Sequence, residues 1–150
     1  INMKKKLKNY FVKKYFLPDI PISICKHLFN FANSSIDVSD GLFDDLDKLM
    51  NNQNIGYVIH ADKIPVSNNL KIYLKKSKND FLKSVSKGDD YQVLFTSSAS
   101  KRNYIKKLSQ RIKLKITKIG NTTNIKKQKI IINDKKHSKS INYKGYSHKF

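Results

Sequence analysis

The residues best suited to chemistry form one short acidic stretch, Asp37-Val38-Ser39-Asp40-Gly41. Mg²⁺ prefers oxygen ligands, and it usually takes one or two carboxylates and completes its shell with water and phosphate. The flanking apolar residues predict a strand before this stretch and a helix after it. We expect the unpaired N–H groups at the helix start to favour a phosphate. The same pattern is also typical of a simple helix N-cap and turn, so the residues alone leave both interpretations open.

A second candidate lies at Gly88-Asp89-Asp90-Tyr91, directly before the apolar run 92–96. Two adjacent carboxylates after a glycine, at the mouth of a predicted strand, are well placed to bind a ligand. An acidic turn with no ligand would have the same sequence. The stretch therefore becomes informative only in combination with the first one.

The elements that must position these residues alternate along the chain. Apolar spacing predicts helices at 3–16, 22–31, 40–51, 67–75 and 98–111, and strands at 35–38, 56–62, 92–96, 114–119 and 129–133. We expect Phe29 and Tyr104 on the inward faces of their helices, and pairing of the last two strands after a loose turn. This order predicts an α/β (α+β) fold, with a mixed β-sheet and helices packed on one side.

Composition narrows the classes of function. The formal charge of +20 would suggest a nucleic-acid partner, but only two of the 31 basic residues are arginine, so we expect no nucleic-acid binding. No apolar run approaches the roughly 18 residues that span a membrane, and we expect no membrane partner. The single cysteine, Cys25, excludes an internal disulfide framework and is compatible with the cytoplasm.

Three stretches in register resemble the C-terminal half of thiamine-monophosphate kinases: Ile36–Leu42, Gly88–Thr96 and Gly145–Phe150. The resemblance runs nearly from end to end. It implies the fold of the C-terminal domain in the aminoimidazole ribonucleotide synthetase-like superfamily. It also implies an ATP-dependent kinase that converts thiamine monophosphate to thiamine diphosphate.

The resemblance also implies roles for individual residues. Asp37 and Asp40 would be Mg²⁺ ligands, and Ser39 would contact ATP, the co-substrate. Asp89 would contact thiamine monophosphate, and Tyr146 would lie against it. No residue of this chain is implied as a catalytic base or nucleophile.

Some positions depart from the family pattern. The family commonly has a second glycine where Lys87 stands, glutamate where Asp89 stands and an acidic residue where Gln92 stands. Because the aspartate is one methylene shorter, whether Asp89 or Asp90 makes the substrate contact stays open.

The family's N-terminal domain would supply most of the ATP pocket, several metal-binding aspartates and the main dimer contact. Residues 1–150 contain none of these features, so we interpret them as a single C-terminal domain that lacks the N-terminal ATP-binding domain. The full-length protein is expected to be a homodimer, and the isolated domain to be inactive. Two alternatives stay open: a non-catalytic remnant or fragment that keeps only the fold, and a basic nucleic-acid-binding domain.

Overall fold

The computed structural model describes residues 5–51, 53–77, 80–125, 128–133 and 137–139. Six helices and six strands lie within these residues: α1 (Lys5–Phe16), α2 (Ile22–Cys25), β1 (Ala32–Val38), α3 (Leu42–Asn51), β2 (Gly56–His60), α4 (Asn68–Ser77), α5 (Phe81–Val85), β3 (Gln92–Ser97), α6 (Arg102–Arg111), β4 (Gly120–Thr123), β5 (Lys129–Asn133) and β6 (His137–Lys139). In this part of the chain no helix is long and apolar enough to cross a membrane.

The described strands form two sheets. β1 and β3 pair antiparallel in a two-stranded sheet, in which Asp37 lies opposite Val93. The second sheet has the order β4-β2-β5-β6, with β2 and β5 parallel and the other neighbours antiparallel. The expected α/β (α+β) class with a mixed sheet is therefore confirmed.

Two apolar clusters pack against the β1–β3 sheet. Ile36 and Leu94 contact the larger cluster, which includes the apolar stripe of α3 and residues of β2. Val93 and Phe95 contact the smaller cluster, which includes Leu108 of α6. Because successive side chains of a strand point to opposite sides, a single two-stranded sheet can contribute side chains to both clusters. The strand that ends in the acidic stretch is thereby held from both sides.

The structure corrects several predictions made outside the acidic stretches. Residues 114–119, predicted as a strand, join no sheet, and the strand begins at Gly120. β4 and β5 do not pair with each other, because β2 lies between them. Phe29 and Tyr104, expected to face inward, are 84% and 38% exposed. The region 22–31 forms only the four-residue α2 and a 3₁₀ turn, which shifts Phe29 away from the core.

Candidate active site

Asp37 lies near the end of β1, where the strand meets the first acidic turn. Its neighbour Val38 is 5% exposed and belongs to the larger apolar cluster, whereas Asp37 is exposed. Burial of Val38 fixes the strand end and directs the Asp37 carboxylate to the opposite, accessible side. The structure thus makes Asp37 available to a ligand.

The turn between β1 and α3 is organised by Asp45, a residue of α3 that is 1% exposed. The backbone N–H groups of Ser39, Asp40 and Gly41 all donate to Asp45 Oδ2, at 2.9, 2.9 and 3.2 Å. These three N–H groups are therefore not available to a phosphate, and the expectation of free donors is wrong for them. Asp45 instead gives the turn one defined shape.

Lys48 supplies the positive charge of this turn. Its Nζ lies 2.8 Å from Asp45 Oδ1 and also forms an ion pair with Asp40. The hydrogen bonds to Asp40 and then to Asp45 raise the pKa of Lys48 above its ordinary value. In this arrangement the Asp40 carboxylate already has a counter-charge, so a metal ion at Asp40 would share it with Lys48 or displace Lys48.

The two acidic stretches meet through their backbones. The Asp89 N–H donates to the Ser39 carbonyl at 2.9 Å, and the Tyr91 N–H donates to the Val38 carbonyl at 2.8 Å. A Cβ atom on Gly88 would lie 2.0 Å from the Ser39 carbonyl oxygen, so only glycine permits this approach. The structure therefore joins stretches that are about fifty residues apart in the sequence into a single site.

The second loop holds two residues in the left-handed region. Asp89 has φ 68° and Tyr91 has φ 50°, and such values are unusual for residues other than glycine. Backbone strain of this kind persists where surrounding contacts enforce it, and it clusters at functional sites. Here the hydrogen bonds to the Ser39 and Val38 carbonyls enforce it.

Negative charge accumulates on the exposed side of this loop. The charge of Asp89 is the main cause that raises the pKa of Tyr91, whose hydroxyl lies 3.4 Å from Asp89 Oδ1. Asp90 is exposed as a residue, yet desolvation of its carboxyl, followed by the Asp89 charge, raises its pKa to about 6. Asp37 also contributes to the raised pKa of Tyr91, which places it on the same side.

The carboxylates of Asp37 and Asp40 are of the chemical type that Mg²⁺ prefers. No group of three His, Cys, Asp or Glu side chains that could hold a metal occurs among the described residues. Mg²⁺ needs fewer protein ligands than that, because it usually binds through one or two carboxylates together with phosphate and water. Asp37 and Asp40 can provide these two carboxylates if a nucleotide provides the phosphate.

Four of the five predicted site residues thus come together: Asp37 near the end of β1, Ser39 and Asp40 on the turn that follows, and Asp89 on the adjoining loop. The fifth, Tyr146, lies outside the described residues. The sequence indicates a structural role for Asp45, since negative charge in the first turns of α3 suits the helix dipole, but it does not predict that Asp45 accepts the hydrogen bonds of the turn. Its position one helical turn after Gly41 was the available signal, since an acidic side chain there can reach back to N–H groups before the helix.

Comparison with known proteins gives a consistent set of relatives, although no protein-family model matches the chain. The thiamine-monophosphate kinase of Buchnera aphidicola subsp. Schizaphis graminum is 40% identical over 136 residues, covering 87% of this chain and 40% of that protein. The corresponding kinase of Buchnera aphidicola subsp. Acyrthosiphon pisum is 32% identical over 142 residues, covering 95% of this chain and 43% of that protein.

Solved structures agree with these relatives. AaThiL complexed with AMPPCP and TMP gives a TM-score of 0.77 at 26% identity, covering 99% of this chain and 44% of that chain. The thiamine-monophosphate kinase from Stenotrophomonas maltophilia K279a gives a TM-score of 0.75 at 25% identity, covering 87% of this chain and 41% of that chain. The expected aminoimidazole ribonucleotide synthetase-like fold is thereby confirmed. The chain spans about two fifths of the length of the curated relatives it matches, and over that span it is related to the thiamine-monophosphate kinases.

Proposed function

We propose that this chain supplies the C-terminal part of the active site of a thiamine-monophosphate kinase. The reaction would transfer the terminal phosphoryl group of ATP to thiamine monophosphate and give thiamine diphosphate. The observation that carries the proposal is the backbone contact that joins the Asp37–Gly41 turn to the Gly88–Tyr91 loop. The names of the relatives support it, as does the complex of AaThiL with AMPPCP, an ATP analogue, and TMP.

The roles of the residues follow from the demands of phosphoryl transfer, which depends on positioning and charge neutralisation more than on covalent chemistry. Asp37 and Asp40 would hold Mg²⁺, which neutralises the phosphate charge when bound. Ser39 would contact ATP from the turn between these two aspartates. The hydrogen bonds from the turn to Asp45 would keep both carboxylates in place as the nucleotide binds.

The adjoining loop would bind the acceptor. Asp89 or Asp90 would contact thiamine monophosphate from the strained loop, and Tyr146 would lie against it. Desolvation of its carboxyl, and then the charge of Asp89, raise the pKa of Asp90 to about 6. Because an acidic loop repels phosphate, the contact of these carboxylates would be to the cationic part of thiamine or to a shared Mg²⁺.

The whole activity needs more polypeptide than these residues provide. The relatives are more than twice as long as the part that matches, so we infer that the remainder of such a kinase completes the ATP pocket. The isolated chain would then be inactive, and the complete enzyme would be a homodimer in the cytoplasm. A remnant that keeps only the fold is the second candidate, because the match covers only about two fifths of the relatives.

A fusion protein tests the proposal. The 150 residues are joined to the preceding part of the Buchnera aphidicola subsp. Schizaphis graminum kinase, and thiamine diphosphate formation is measured with ATP and Mg²⁺. Asp37→Asn should lower the rate by at least about 100-fold, since it removes a ligand of a metal that stabilises the transition state by several kcal/mol. Asp44→Asn removes a carboxylate of the neighbouring helix α3 that lies outside the site, and its rate should stay within about twofold of the wild type. A folded but inactive fusion protein would favour the remnant.

A further inference from the structure

Lys48 of α3 contacts two carboxylates whose surroundings differ. Its Nζ lies 2.8 Å from Asp45 Oδ1, and it also forms an ion pair with Asp40. The side chain of Asp45 is 2% exposed, whereas that of Asp40 is 33% exposed and that of Lys48 is 48% exposed. The ammonium group therefore bridges a buried carboxylate and an accessible one.

The Asp45 end of this bridge is fixed. Asp45 Oδ2 accepts three backbone N–H groups of the turn, so its carboxylate cannot rotate away without leaving these donors unsatisfied. Lys48 stands three residues after Asp45 on α3, and this spacing keeps the two side chains on one face of the helix. The contact between Lys48 and Asp45 therefore needs no ligand, and the contact to Asp40 is the one that can open.

The Asp40 end of the bridge is where a metal ion would compete. A cation beside the Asp40 carboxylate offsets part of the negative charge that attracts Mg²⁺. Mg²⁺ and the ammonium group would repel each other at a shared carboxylate, and the flexible lysine stem allows the ammonium group to withdraw toward Asp45. Metal binding at Asp40 therefore requires the Lys48–Asp40 ion pair to break.

We propose that Lys48 is a positioning residue that occupies Asp40 as a resident cation and releases it when a divalent metal binds. This inference rests on the metal-binding role proposed above for Asp40. Lys48 neutralises the acidic turn before the metal binds, and it keeps its contact to Asp45 afterwards. Because the metal must displace it, Lys48 sets the concentration of Mg²⁺ that the turn requires.

Titration of the 150-residue chain with MnCl₂ tests this proposal. Mn²⁺ accepts the same oxygen ligands as Mg²⁺, and electron paramagnetic resonance measures its free concentration. At low ionic strength we expect Lys48→Gln to tighten Mn²⁺ binding about fivefold, the size of one exposed ion pair. Glutamine can still donate to Asp45 Oδ1, so the turn should keep its shape. Lys48→Arg keeps the charge and should stay within about twofold of the wild type.

Two controls show whether the effect acts through Asp40. In an Asp40→Asn background, Lys48→Gln should change Mn²⁺ affinity by less than about twofold, because the competing ion pair is already absent. Lys129→Gln removes a lysine that pairs with Asp47 of α3 outside the site, and it should also stay within about twofold of the wild type.

Three results would overturn the proposal. They are unchanged or weaker Mn²⁺ binding by Lys48→Gln, the same tightening in the Asp40→Asn background, and equal tightening by Lys129→Gln. A purely structural role of Lys48 would give the first of these results, and a general effect of net charge would give the third. Because no turnover is measured, the outcome does not depend on whether the fusion protein is a kinase.

Discussion

At the scale of single residues, Asp45 is the side chain on which the shape of the candidate active site depends most. Its Oδ2 atom accepts hydrogen bonds from three backbone N–H groups, and its Oδ1 atom accepts one from Lys48 Nζ. Removing the carboxylate leaves these donors without a partner. The residue that defines the turn is therefore not one of those expected to touch ATP or substrate.

Asp45→Ala should lower the free energy of unfolding by about 3 kcal/mol, because buried donors lose their acceptor. Asp45→Asn should lower it less, since an amide oxygen can still accept hydrogen bonds. Urea unfolding monitored by circular dichroism measures both values. Asp44→Ala, one residue earlier on α3, should stay within about 1 kcal/mol of the wild type. Equal losses for Asp44→Ala and Asp45→Ala would contradict this account of the turn.

Asp90 should make stability depend on pH. Its pKa rises from 3.8 to about 6 on folding, so the folded state binds the proton more tightly than the unfolded state. Protonation of Asp90 therefore stabilises the folded state. This stabilisation is fully present below about pH 4 and is lost as the pH rises through about 6. The stability of Asp90→Asn relative to the wild type should therefore increase between these values and then level off. Urea unfolding of both proteins from pH 4 to 7 measures this. A difference in the free energy of unfolding that stays constant over this range would contradict the raised pKa of Asp90.

At the scale of elements, the contact between the two loops is the critical feature. Gly88→Ala would place a Cβ atom 2.0 Å from the Ser39 carbonyl oxygen, so the loops would have to separate. We expect a loss of at least about 2 kcal/mol in the free energy of unfolding. In the fusion protein, we also expect a large loss of kinase activity. Lys87→Ala, at the exposed preceding position, should change stability by no more than about 0.5 kcal/mol. A stable, active Gly88→Ala variant would show that the backbone contact is dispensable.

The elements also show how far the sequence predicts the structure. The acidic turn and α3 follow from local signals, since the apolar stripe of α3 has clear helical spacing and is buried as expected. The segment 114–119 shows the limit of such signals. Leu114 and Ile116 pack on the smaller cluster and Ile119 on the larger one, so these apolar residues are half-buried without any strand pairing. Similarly, the position of β2 between β4 and β5 depends on long-range contacts that no local pattern encodes.

At the scale of the whole molecule, several large apolar side chains between the last residue of α1 and the first residue of α2 are exposed. Phe16, Leu17, Ile20 and Ile22 are between 59% and 73% exposed. Large exposed apolar side chains promote association. We expect the isolated chain to self-associate in sedimentation velocity experiments, and Phe16→Ser combined with Ile22→Ser to reduce the association. A monomeric wild type at high concentration would contradict this expectation.

The central claim is that the carboxylates of this chain take part in phosphoryl transfer from ATP to thiamine monophosphate. Its most direct test follows the label from [γ-³²P]ATP into thiamine diphosphate in the fusion protein, with Asp37→Asn and Asp44→Asn compared as folded proteins of equal concentration. The account predicts Mg²⁺-dependent transfer of the label by the wild type and by Asp44→Asn, and almost none by Asp37→Asn. Transfer that is unaffected by Asp37→Asn, or absent from a correctly folded wild-type fusion protein, would contradict it.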